Sequence, residues 1–175
     1  MRLLGWLFRA TLSLVLMVQL RLADSALSSP ETPLGIVGFG LAFTELRAAE
    51  IISVWRSMGV IENARVSLGV DVAFLLVYPF MLRGLVHLLQ RDDGSSVERV
   101  GGWFASAVLL CIPLDALENA ALWRMLVAGA SPSLALIAGI AATSKFLLVL
   151  LTAAWCAGAL FRRLLLPSAH GKRTI

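Results

Sequence analysis

Four apolar stretches, each around twenty residues long, constrain this chain more than any other feature. A helix rises about 1.5 Å per residue, so roughly 20 residues cross the ~30 Å hydrocarbon layer of a bilayer. The stretches read as membrane spans at Leu4–Leu22, Val66–Leu89, Gly102–Leu126 and Leu134–Leu160. The expected fold is therefore all-α: an integral membrane four-helix bundle, with an extra amphipathic helix in the first outer loop. The chain is 59% hydrophobic and 15% charged, with mean hydropathy +0.86. A soluble domain is nearer half apolar and about a quarter charged. One membrane domain, residues 1–166, followed by a polar cytoplasmic tail, residues 167–175, accounts for all 175 residues.

The charges set the expected orientation. In a soluble protein a net charge of +4 would point to nucleic acid. Here the cations sit at span ends, where they fix topology and meet lipid headgroups, so no nucleic-acid partner is expected. Arg2 and Arg9, then Arg83, Arg91 and Arg99, then Arg162, Arg163, Lys172 and Arg173 all fall on one side of a four-span chain. That side is expected to be the cytoplasm, with both termini inside. Met1–Ala26 also has the outline of a signal peptide, but Arg21 before the small residues favours a retained span. Cys111 and Cys156 lie within spans with no C-x-x-C pair, and read as small buried hydrophobes. His87 and His170 form no ligand set with them, so no metal or other cofactor is expected.

The long outer connection, Ala23–Ala64, carries its own helix. Phe43–Met58 places Leu46, Ala49, Ile52 and Trp55 at helical spacing, as a helix lying at the membrane surface or capping the bundle would, with Trp55 at headgroup level.

Polar groups inside the spans are the best pointer to function, because a charge at bilayer centre is unfavourable by roughly 3 kcal/mol and persists only with partners. Asp115, Glu118, Asn119 and then Trp123 share one face of the third span. The turn AGASPS at 128–133 makes the third and fourth spans an antiparallel hairpin, which brings Lys145 to the depth of Asp115 and Glu118. On the second span, Asp71, Phe74 and Tyr78 recur at i, i+3, i+7. Two layers are expected: Asp71 paired with Arg124 towards the outside, and Asp115, Glu118, Asn119, Lys145 and Tyr78 deeper. The deeper layer's formal charges do not balance if both carboxylates are ionised.

Three segments, LAFTELRAAEIISVWRSMG at 41–59, ARVSLGVDVAFLLVY at 64–78 and LDALENAAL at 114–122, together resemble a family of uncharacterised bacterial four-span membrane proteins. On this chain the matching positions are Phe43, Thr44, Trp55, Gly59, Arg65, Asp71, Phe74, Tyr78, Asp115, Glu118 and Asn119. The resemblance implies that the outer helix, with Phe43, Thr44, Trp55 and Arg65, caps the two polar spans as one functional unit. It supplies no reaction.

These residues point first to a non-enzymatic membrane protein that binds a small amphiphile, a lipid or a protein partner through the polar network in the outer half of the bundle. Alternatives are a membrane enzyme acting on a lipid-soluble substrate, with Asp115 and Glu118 as acid and base, and an accessory subunit of a membrane complex. A through-path for ions is disfavoured by the apolar lower halves of the spans, such as Ala107–Leu110 and Phe146–Leu151.

Overall fold

A computed structural model describes residues 2–90 and 96–165. The polar tail 167–175, with His170, and part of the link 91–99 lie outside the described residues. Every regular element among the described residues is helical.

Helix α1 runs over Arg2–Ser25. A short helix α2, Gly35–Gly40, and helix α3, Glu45–Ser57, fill the long connection. Helices α4 (Ile61–Leu75) and α5 (Tyr78–Leu89) are two halves of one apolar rod. So are α6 (Ser96–Ala107) and α7 (Cys111–Ala128), joined by a 3-10 turn at Val108–Leu110. Helix α8, Pro132–Leu165, is continuous over 34 residues. Four rods, Leu3–Ser25, Ile61–Leu89, Ser96–Ala128 and Pro132–Leu165, are long and apolar enough to cross a membrane.

Proline explains where two rods break. Proline has no N–H, and its ring crowds the carbonyl four residues back, so a helix kinks or restarts around it. Pro79 sits in the first turn of α5, just after the break at Leu76–Val77. Pro113 sits in the first turn of α7, just after the 3-10 turn. The turn between α7 and α8 is only Gly129–Ser131, so these two helices lie antiparallel and pack along their length.

The connection between α1 and α4 is a docked cap. On α3 the buried face is Ala48, Ile51, Ile52 and Trp55. The expected stripe shared only Ile52 and Trp55 with it: Ala49 is exposed, and Leu46 is 82% exposed. The helix also begins two residues later than its hydrophobic pattern implied. Thr44, in extended backbone, ends the loop, and its side-chain oxygen accepts the Arg47 N–H at 3.3 Å. Trp55 points into the protein. It is fully buried, donates Nε1–H to the Leu27 carbonyl at 2.9 Å, and meets Phe39 of α2 edge to face at 5.4 Å. These residues join Leu68, Leu122, Met125, Leu126 and Ala138 in the largest core cluster.

Helix α1 makes its main contacts with α4, α5 and α2 rather than with α7 or α8. Trp6 Nε1–H donates to the Met81 carbonyl at 3.1 Å, pinning α1 to α5. One flank of the bundle is thereby left as a wedge between α1 and the α7–α8 hairpin.

Candidate functional site

Chain geometry brings the polar residues to one level. Tyr78 directly follows the break before α5, and Asp115 lies two residues after Pro113 in α7. Tyr78 is the first residue of α5, and its hydroxyl donates to Asp115 Oδ2 at 2.8 Å. The Lys145 ammonium, from the middle of α8, pairs with Asp115 Oδ1 and lies 2.7 Å from Glu118 Oε2. Asp115 is 1% exposed and Lys145 9%. Both Asp115 oxygens are therefore engaged, by a phenol and an ammonium. A buried carboxylate is tolerated under these conditions, with paired charge and its lone pairs satisfied.

Asn119, one turn beyond Asp115, donates Nδ2–H to Asp71 Oδ2 on α4 at 2.7 Å. This replaces the expected outer pair: Asp71 takes the amide of Asn119, and Arg124 is exposed. Arg124 lies on the outward face of α7 with Trp123, which is 45% exposed and so off the network face as well. The polar residues form two bonded sets, Asp71 with Asn119, and Tyr78, Asp115, Lys145 and Glu118 together, and both sets border the same cavity.

The cap touches this network through Gly40. A Cβ at Gly40 would stand 2.5 Å from Glu118 Oε1, so a larger residue there would make the carboxylate shift. Phe43 has φ +57°, a region that a bulky L-residue rarely occupies. Its ring packs onto Gly139 of α8, where a Cβ would come within 2.5 Å of it. Thr44 and Trp55 hold α3 as described above. Arg65 pairs with Glu62 at 2.5 Å, away from the network. Cys111 and Cys156 are buried free thiols. Among the described residues no group of three His, Cys, Asp or Glu is placed to hold a metal ion.

A cavity of about 380 Å³ fills the wedge between α1 and the α7–α8 hairpin. Its walls are mostly apolar, with Met17 and Leu20 from α1, Phe74 from α4, Leu122 from α7 and Val149 from α8. One side is formed by the network itself: Asp71, Tyr78, Asp115, Glu118, Asn119 and Lys145 all line it. Ser67 of α4 lines it too. Sequence reasoning passed over Ser67, Gly40 and the two mid-span prolines. The prolines were visible signals. Ser67 lies one helical turn before Asp71, on the same face. Comparison with protein-family models, with curated proteins and with solved structures finds no match to this chain.

Proposed function

We propose that this is an integral membrane protein that binds a small amphiphile, with the apolar body between α1 and the α7–α8 hairpin and the polar head on the buried network. The observation that carries this reading is the joining of two features. An apolar cavity of about 380 Å³ has one side formed by six polar residues in two bonded sets. Small-molecule sites have this make-up, with roughly 300–1,000 Å³ of mostly apolar space and a few convergent polar groups. A network serving only to lock helices together would have no reason to border open space.

Binding is favoured over acid–base chemistry because both Asp115 oxygens are already held, one by Tyr78 and one by Lys145. The orientation proposed is termini inward, since Arg9, Arg83, Arg99, Arg162 and Arg163 gather at the end of the bundle opposite the cap. The cap and the network then lie in the outer half, and the bacterial inner membrane is the proposed location, with membrane lipid as the surrounding partner.

Copurification from mild detergent, with mass spectrometry of bound lipids and proteins, tests the reading. The expected result is a discrete amphiphile, near equimolar with the protein, that is lost when Val149→Trp fills the cavity. Bulk phospholipid alone, unchanged by that substitution, would contradict it. A stoichiometric protein in place of the amphiphile would support the accessory-subunit reading instead.

A further inference from the structure

The charge on the cavity wall is unequal. Asp71, Asp115 and Glu118 face a single deep cation, Lys145, whose ammonium is committed to Asp115 and Glu118. Arg21 and Asp24 also line the cavity at the end of α1, where their formal charges sum to zero, and Asp24 Oδ1 accepts the Ile36 N–H at 2.6 Å. Among the described residues Asp71 therefore has an amide partner, Asn119, and no ion-pair partner.

A second and separate observation lies one turn back on α4. Ser67 is 1% exposed, lines the same cavity, and its Oγ has no hydrogen-bond partner among the described residues. A buried hydroxyl without a partner is unfavourable by about 1–3 kcal/mol, so native proteins rarely keep one unless something fills the place. Ser67 and Asp71 are i and i+4, neighbours on one helix face. Phe74, three residues on, stacks with Tyr78 at 4.7 Å, and both rings line the cavity.

We infer that the ligand's head is a protonated amine, held by Asp71 and Ser67 beside the Phe74 ring. An ammonium supplies the positive charge that Asp71 lacks and donates N–H to the free Asp71 oxygen and to Ser67 Oγ. It also suits a ring face, since cations are attracted to aromatic quadrupoles. A carboxylate or phosphate head would meet repulsion from three carboxylates. An alcohol would satisfy Ser67 and leave Asp71 without a cation.

This inference rests on the cavity being an amphiphile site, and its test separates the two claims. Decylamine, decanol and decanoate would be titrated by calorimetry against the full chain in phosphatidylcholine nanodiscs, with empty nanodiscs as baseline. The amine is expected to bind at least about tenfold tighter than the alcohol, and decanoate weakest, a ratio typical of one desolvated charge contact. Asp71→Asn should reduce that preference to about threefold or less, and Ser67→Ala should weaken the amine without reversing the order. Equal binding of all three heads, or a preference for decanoate, would overturn the amine assignment and leave the cavity reading standing. No binding of any head would overturn both. The head-group series on the unaltered protein decides the matter even if Asp71→Asn does not fold.

Discussion

Tyr78 donates its hydroxyl to Asp115 at 2.8 Å, linking two rods that both break within two turns of these residues. The breaks and the bond belong together. With α4 and α5 as one straight helix, Tyr78 would keep the azimuth of its preceding turns. The restart around Pro79 lets position 78 be set independently, and position 78 then reaches the carboxylate that Lys145 also holds.

Removal of the deep cation should expose this dependence. Lys145→Met leaves Asp115 and Glu118 buried without a counter-ion, and breaking a buried pair from one side is destabilising by about 3–5 kcal/mol. Unfolding of the purified protein, followed by circular dichroism, should show a loss of that size. The triple variant with Asp115→Asn and Glu118→Gln should recover much of it.

Tyr78→Phe removes one hydrogen bond to a charged acceptor and keeps the ring that stacks on Phe74. The expected loss is about 2 kcal/mol. In a double-mutant cycle with Asp115→Asn the two losses should be strongly non-additive, since each substitution removes the same contact.

Gly139→Ala should be destabilising by about 1–3 kcal/mol, because the added methyl meets the Phe43 ring in a packed notch. Adding Phe43→Ala should make the alanine at position 139 nearly harmless relative to Phe43→Ala alone. The same unfolding assay reads both.

Topology is open to thiol labelling, because the native cysteines, Cys111 and Cys156, are buried. Leu46→Cys on the exposed side of α3 should react with a membrane-impermeant maleimide added to intact cells. Val97→Cys, exposed at the other end of the bundle, should react only after lysis. The reverse pattern would invert the proposed orientation.

How much of this was legible in the sequence depends on the kind of signal. The four apolar rods were legible because their lengths match a physical thickness. Asp115, Glu118 and Lys145 could be brought together because a three-residue turn fixes the α7–α8 hairpin and the rise per residue then fixes depth. The Asp71–Arg124 pair failed for a reason of azimuth. Depth matched, but Arg124 is five residues from Asn119, most of half a turn away on α7, and only Asn119 faces α4. The α3 stripe failed similarly: Ala48 and Ile51 were passed over in favour of Leu46 and Ala49, because charged neighbours on both sides left the phase of a short helix ambiguous. The cavity itself was not legible, since it arises from α1 leaning on α4 and α5 rather than on the hairpin, and no pattern in α1 names the helices it packs on.

The most direct test of the central claim is photolabelling with a decylamine probe bearing a diazirine on its chain, followed by mapping of the adducts. Binding in the wedge predicts adducts on cavity-lining residues such as Leu20, Leu122 and Val149, competed away by unlabelled decylamine. Adducts confined to outward residues such as Leu14, Leu147 and Leu150, with no competition, would contradict the account.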